Sequence, residues 1–233
     1  PVFAVTVKTP LSGVAFTLLA LEAEEGLSRP FRYLATVRAD KADADVASLL
    51  GKIASVTLTA DGKAKRLFSG IVAEAGQLDA DPRGASYRLD IRPALWLLSL
   101  AGDCRIFQQK SLSDIAKTVL KADGATRISD KLSGTYDALD YVAQFDESDF
   151  AFVSRLLERA GIFYFFTHAE EGETLVLADD SSAFKPIAGP SALNYRMAQG
   201  SGLQPDAVSF LSRSARMTTG TFSVSYTHLT LPT

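Results

Sequence analysis

The chain has 233 residues, 47% of them hydrophobic and 22% charged, a globular composition with enough apolar matter for a sizeable core and too much for a disordered chain. Its net charge is −3 and no long Lys/Arg run occurs, which removes the electrostatic footprint of a nucleic-acid binder. The lone Cys104 and the two histidines, His168 and His228, exclude an intrachain disulfide, a cysteine zinc cluster and a multi-histidine metal site.

The start, Pro1-Val2-Phe3-Ala4, has neither an initiator Met nor a basic leader, so a piece of a longer chain, made as a soluble cytoplasmic protein, is expected. The apolar runs are too short to span a bilayer. Strand patterning dominates the first hundred residues. Val14, Phe16, Leu18 and Ala20 alternate, although Leu19 and Leu21 blur the pattern. Phe31, Tyr33, Ala35 and Val37 oppose Arg32, Thr36 and Arg38, and Val56 and Leu58 alternate with Thr57 and Thr59. A period of two means each strand buries one face. Asp61-Gly62 is a hairpin signal, because both central residues of that turn need positive φ. A strand then runs through Leu67-Phe68 to Val72, Asp79 to Gly84 is a turn, and Tyr87, Leu89 and Ile91 face one way. Several such strands joined by tight turns predict an antiparallel barrel or sandwich. One short helix interrupts them, capped by Asp45, with Val46, Leu49 and Leu50 as its apolar face and Gly51 as its stop.

After Pro93 the texture changes. Ser111-Leu112-Ser113-Asp114 resembles a capping box with Asp in place of Glu, and Leu112, Ile115, Ala116, Val119 and Leu120 follow at helical spacing up to Gly124. A second helix starts near Ser148, with Phe152, Val153, Leu156, Leu157 and Ala160 on one face and Gly161 at its end. The aromatic strand Ile162 to Phe166, a turn at Glu170 to Glu173 and a return strand Thr174 to Leu177 complete a helix–strand–turn–strand unit. Beyond Asp179 the pattern weakens, with a strand expected around Ala207 to Phe210. Ser225 to Thr233 continue no pattern, and residues 224–233 are expected to be a cloning or assembly scar.

Candidate chemistry is sparse. Asp146, Glu147 and Asp149 contain the two carboxylates that a cell-wall or carbohydrate hydrolase needs, but they sit at a helix start, where the helix dipole stabilises negative charge. Arg155, Glu158 and Arg159 lie on the polar side of that helix as neighbours at i,i+3 and i,i+4, either a paired solvent face or a subunit contact. His168 has no recognisable nucleophile beside it and reads as a surface or turn histidine; Cys104 reads as a small buried or half-buried residue. No glycine-rich phosphate loop occurs, and Gly70 and Gly84 read as strand bends or turns. The Phe163–Phe166 aromatics suggest a sugar-stacking platform or, more simply, alternating burial in a hairpin, with Phe163 and Phe165 on the helix side. A scaffold without a convergent reactive set is the reading that results: no catalytic residue, cofactor, metal, nucleic acid or small-molecule substrate is expected.

Three groups of motifs carry a family resemblance. The first is Glu24-Glu25-Gly26-Leu27-Ser28-Arg29-Pro30-Phe31, with Leu49-Leu50-Gly51 and Phe68-Ser69-Gly70-Ile71-Val72 downstream. The second runs from Tyr87-Arg88-Leu89 through Pro93-Ala94-Leu95-Trp96-Leu97-Leu98 to Arg105-Ile106-Phe107-Gln108 and Ser113-Asp114-Ile115. The third is Gln144-Phe145-Asp146-Glu147-Ser148-Asp149-Phe150, Arg155-Leu156-Leu157-Glu158-Arg159 and Ala160-Gly161-Ile162-Phe163-Tyr164-Phe165. In order and spacing these resemble VgrG, the spike of type VI secretion systems, over residues 11 to 222. The resemblance implies a mainly β, α+β chain: an antiparallel β-barrel hub domain over residues 1–100 and an incomplete mixed α/β segment over 101–223, as in the baseplate hub of contractile phage tails. It also implies a non-enzymatic homotrimer forming a ring on a hexameric tube of hemolysin-coregulated protein. A tip protein and effectors would attach through a C-terminal needle region missing here. Assembly in the cytoplasm and secretion through the machine follow. A phage tail hub, a hydrolase using the acids and a carbohydrate-binding barrel using the aromatics are the rival readings.

Overall fold

The computed structural model describes residues 3–61, 63–122, 126–185, 194–195, 207–208, 210–215 and 217. These fall into two compact units, Pro1–Ala183 and Phe184–Thr233. Gly62, Gly124 and the 224–233 tail lie outside the described residues.

The first unit opens with strands β1 (Phe3–Lys8), β2 (Phe16–Gly26), β3 (Arg29–Ala39), β4 (Ile53–Ala60), β5 (Lys63–Asp81) and β6 (Gly84–Arg92). They form one six-stranded antiparallel sheet in the order β1-β4-β5-β6-β3-β2. The end strands β1 and β2 lie near one another, so the sheet curls into a barrel-like shell. Alternation builds its core: Phe31, Tyr33, Ala35 and Val37 of β3, Tyr87, Leu89 and Ile91 of β6, and Val56 and Val72 of β4 and β5 are all buried. Phe31 and Tyr33 stack with ring centroids 4.4 Å apart.

The blurred pattern in β2 has a physical cause. The register with β3 shifts between Leu18 and Ala20, so Leu18 and Leu21 turn inward while Leu19 stays exposed. Two glycines are required by backbone proximity. A Cβ on Gly70 would lie 2.5 Å from the Arg92 carbonyl, and one on Gly84, at φ +135°, would lie 2.1 Å from the Ala39 carbonyl. The expected short helix is a 3₁₀ turn, Val46–Leu49, with the Asp45 carboxylate accepting from Ser48 N–H at 3.3 Å. Leu50 is not part of its apolar face. A three-residue period aligns Val46 with Leu49 and rotates Leu50 out, half exposed.

A 3₁₀ turn, Ala94–Ser99, leads into β7 (Gly102–Phe107), β8 (Lys110–Ser111), α1 (Leu112–Ala122), β9 (Ile128–Lys131), β10 (Ala138–Leu139), β11 (Val142–Ser148), α2 (Asp149–Arg159), β12 (Phe163–Ala169) and β13 (Gly172–Ala178). Both helices begin as their sequences predict. Ser111 Oγ accepts from Asp114 N–H at 3.2 Å and donates to the Asp114 carboxylate at 2.7 Å, and Ser148 Oγ accepts from Ala151 N–H at 3.1 Å. Ile115, Ala116, Val119 and Leu120 of α1 meet Phe152, Val153, Leu156 and Leu157 of α2 over Leu175 and Leu177 of β13. Each fully buried Val, Leu, Ile or Phe among them contributes about 1.5–3 kcal/mol. β12 pairs antiparallel with β13, and β9 joins β13 in parallel.

Two cores therefore lie in this unit, one inside the curled sheet and one around the helices, and Phe166 packs against both. No helix among the described residues is long and apolar enough to cross a membrane. In the second unit, β14 (Asn194–Tyr195) pairs in parallel with β15 (Ala207–Val208). The strand expected at 207–210 is thus present at Ala207–Val208, and Ser209 lies outside the described residues.

Candidate functional site

The acidic cluster forms where β11 runs into α2. The β7–β11 register shifts between Gln144 and Glu147, and Asp146 takes φ +49° in that bulge, a left-handed conformation that Asp tolerates. Asp149 becomes the first residue of the helix and is buried. Its two oxygens accept from Gln144 Nε2 at 2.7 Å and Arg105 Nη2 at 2.9 Å. Glu147 receives Arg155, whose Nη2 also donates to the Ala143 carbonyl at 3.1 Å and whose guanidinium lies 5.3 Å from the Phe152 ring centroid. Arg105 bonds Asp103 as well, at 2.6 Å, and this guanidinium, with the Cys104 N–H, holds the Asp103 carboxyl below the usual carboxylate range.

Asp149 and Glu147 are each tied to a guanidinium. An open groove of about 620 Å³ runs beside the cluster, lined by Leu100, Asp103, Cys104, Asp146 and Glu147 among others. The helix cap itself is Ser148, while Asp149 and Glu147 are held by Arg105, Gln144 and Arg155 beside the first turn. Cys104 is exposed, not buried or half-buried as expected, and it lies in β7 opposite the bulge, where the ladder is interrupted.

Arg155, Glu158 and Arg159 are all exposed on α2, but the Arg155–Glu158 pair expected from helical spacing does not form. Side chains on a helix lean toward its N-terminus, which carries Arg155 back to Glu147. Among the described residues Glu158 and Arg159 make no ion pair, so the outward polar face of α2 is theirs.

The sequence reading missed a second polar centre. His168 is not a surface histidine: its side chain is only 10% exposed. It shares parity with Tyr164 and Phe166, and those residues, not Phe163 and Phe165, face the cores. The early half of β12 faces the helices and its later half faces the curled sheet, so Phe166 and His168 each lie 5.0 Å from the Phe31 ring, centroid to centroid. His168 Nε2 is 3.0 Å from Tyr33 Oη, and Nδ1 is 3.0 Å from the Ser69 carbonyl and 3.3 Å from Ser69 N and Oγ. Tyr33 donates to Glu25, which also accepts from Arg66. Burial pushes the His168 imidazole below its usual value and the Tyr33 phenol far above its own. Burial would raise Glu25, but the hydrogen bonds from Tyr33 and Arg66 outweigh it and leave the carboxyl low. Nearby, the buried Glu173 accepts from Ala94 N–H at 2.5 Å, and burial raises its pKa despite that bond. A cavity of about 250 Å³ adjoins His168, walled by Phe31, Phe165 and Phe166 with Glu25, Leu27 and Arg29 at its edge. The cavity has aromatic walls, and of the two charged groups at its edge Glu25 is committed to Tyr33 and Arg66.

Comparison with known proteins decides the family. The family model for the phage tail baseplate hub (GPD) matches residues 24–233. This chain belongs to the phage tail baseplate hub family. Among curated proteins it is 40% identical over 191 residues to the type VI secretion system spike protein VgrG1b of Pseudomonas aeruginosa, and 38% identical to VgrG1c of the same organism. Each alignment covers 82% of this chain and 26% of the relative, so the chain spans about a quarter of their length. A solved structure of the E. coli c3393 protein superposes with a TM-score of 0.72 at 26% identity, over 78% of this chain and 51% of that one. That protein is described as a type VI secretion component with structural similarity to the T4 bacteriophage tail proteins gp27 and gp5. The hub fold and the resemblance to VgrG spikes read from the sequence motifs are therefore shown, and these relatives are named as spike and secretion-system components.

Proposed function

We propose that this chain supplies the N-terminal part of a structural spike subunit in a type VI secretion injection machine. The observation that carries the reading is the 40% identity to a spike protein across 82% of the chain, on a hub fold. In this reading three copies close into a ring whose pseudo-sixfold symmetry matches a hexameric tube of hemolysin-coregulated protein. Residues 1–100 form the first hub barrel and residues 101–223 the mixed segment beside it. The tip protein and effectors attach through the C-terminal region that the longer relatives possess. The subunit is assembled in the cytoplasm and then secreted by the machine.

Ring closure needs the same patches to meet around an axis. Arg155, Glu158 and Arg159 are the candidate contact residues, with Glu158 and Arg159 presenting the outward charges. Light scattering of the full-length parent should report a trimer, and reversing the charge at Glu158 and Arg159 should weaken it. A clean monomer would refute the ring. The family model's own description supports a second reading, a phage tail hub. Neighbouring genes separate the two: sheath, tube and tip genes alone indicate secretion, whereas capsid genes indicate a phage. Sequencing the source DNA across Val224 tests whether residues 224–233 are foreign; an uninterrupted native reading frame would show they are not.

A further inference from the structure

We propose that His168 is a pH-responsive latch that joins the curled sheet to the β12–β13 hairpin. The geometry offers its ring two complete hydrogen-bond arrangements that differ by one proton at Nδ1. In the neutral ring, Nε2–H donates to Tyr33 Oη, which itself donates to Glu25, and Nδ1 accepts from the Ser69 N–H or hydroxyl. In the protonated ring, Nε2–H keeps Tyr33 and Nδ1–H turns to the Ser69 carbonyl 3.0 Å away. One residue, Ser69 of β5, therefore supplies both the donors and the acceptor that Nδ1 needs in its two states.

The charges around the ring set which state holds the seam closed. From β2, Glu25 approaches Nε2 at 3.9 Å and favours the cation. From β5, Arg66 opposes it, and Arg66 is also the partner that neutralises Glu25. Arg29, at the start of β3, lines the adjoining cavity and adds positive charge. Tyr33 of β3 stays protonated throughout. From β13, Glu173 is the register partner of His168 across the hairpin. The Phe31 and Tyr33 rings, with centroids 5.0 and 5.8 Å from that of the imidazole, give it a largely apolar surrounding that also disfavours charge. The neutral ring is the form that closes the seam, and protons are taken up preferentially when the seam opens.

The sign follows from linkage. The folded pKa lies below the unfolded one, so the contribution of His168 is complete above about pH 6.5 and is lost as pH falls through the folded value. Glu173, with its raised pKa, has the opposite sign: its ionised form burdens the seam at neutral pH, and this burden is relieved as pH falls. The two partly cancel in the native chain, so the latch is read as a difference between variants.

Two measurements test it. In an NMR titration of the imidazole nitrogens of the whole chain, the His168 ring should be neutral at pH 7 with the proton on Nε2, and its midpoint should lie below that of an exposed histidine. In thermal unfolding between pH 7 and pH 5, the Tm difference between the native chain and His168→Gln should shrink steadily. A ring midpoint at or above about 6.5 would overturn the latch, as would a Tm difference independent of pH. If His168→Gln does not fold, Glu25→Gln takes its place. Removing the nearby carboxylate should lower the His168 midpoint further, and an unchanged midpoint would count equally against the proposal.

Discussion

Replacing Asp149 by Ala separates a structural carboxylate from a catalytic one. The side chain is 9% exposed and accepts hydrogen bonds from Arg105 and Gln144 in the first turn of α2. A hydrogen bond to a charged group contributes about 1.5–3 kcal/mol in a buried setting. The Arg105 bond is discounted because that side chain is 28% exposed. The helix dipole adds about 0.3–1 kcal/mol. Loss of Asp149 also leaves the buried Gln144 amide with one partner fewer. The total is about 2–4 kcal/mol, which at roughly 2–4 °C per kcal/mol for a chain of this size lowers the Tm by about 5–15 °C.

Glu147→Ala is the internal control. Its partner Arg155 is 48% exposed, and such pairs contribute about 0.2–1 kcal/mol, so the Tm should fall by about 4 °C at most. Urea unfolding of both variants should show a lowered midpoint with an unchanged slope, since neither change alters the surface exposed on unfolding. The reasoning fails if Glu147→Ala is as damaging as Asp149→Ala. It fails equally if Asp149→Ala unfolds like the native chain, for then the carboxylate would not be holding the start of α2.

Further outcomes follow from the buried groups. Glu173→Gln keeps an oxygen for the Ala94 N–H but removes a buried charge; at pH 7 it should stabilise by about 1 kcal/mol, and the gain should vanish toward pH 4, where the carboxyl is protonated. Among the described residues the buried Tyr164 hydroxyl has no hydrogen-bond partner, so Tyr164→Phe should be neutral or stabilising by about 1 kcal/mol, and a clear loss in urea unfolding would show that the hydroxyl is satisfied. Gly84→Ala forces a Cβ against the Ala39 carbonyl at positive φ and should cost about 3 kcal/mol or more, while Gly76→Ala, with nothing within 4 Å of its new Cβ, should stay within about 1 kcal/mol of the native chain by thermal unfolding.

Much of the fold was legible because one-sided burial writes itself as period two or period 3.6. Phe31 to Val37, Tyr87 to Ile91 and both helices are read correctly from alternation and capping residues alone. The sequence signal weakens where an element changes neighbours. β12 is the clear case: four consecutive aromatics give no parity, and the choice of Tyr164 and Phe166 over Phe163 and Phe165 is made by two different partners along one strand. Bulges are the other loss. The shift at Leu18–Ala20 is visible only as a blurred pattern, and the one at Gln144–Glu147 determines which acid becomes buried. His168 could have been found by extending parity two residues past Phe166, but the partners that make it matter, Ser69, Tyr33 and Glu25, lie 99 or more residues away.

The same hairpin explains how one chain holds two cores in a fixed relation. Phe166 alone would give a greasy joint, since apolar contact is non-directional and tolerates sliding. The seam is pinned instead by bonds that have geometry: Ser28 N–H to the Tyr164 carbonyl at 2.9 Å, Ala94 N–H to Glu173, and His168 between Ser69 and Tyr33. Sliding β12 by one residue would break the Tyr164 and His168 bonds and invert every side chain of the strand, and the Glu173 bond fixes β13 beside it. In the proposed reading as a spike subunit, a seam of that kind would hold the barrel and the helical segment in one arrangement. Buried polar groups that cost stability, such as Glu173, fit the pattern in which specificity of arrangement is held at some expense of strength.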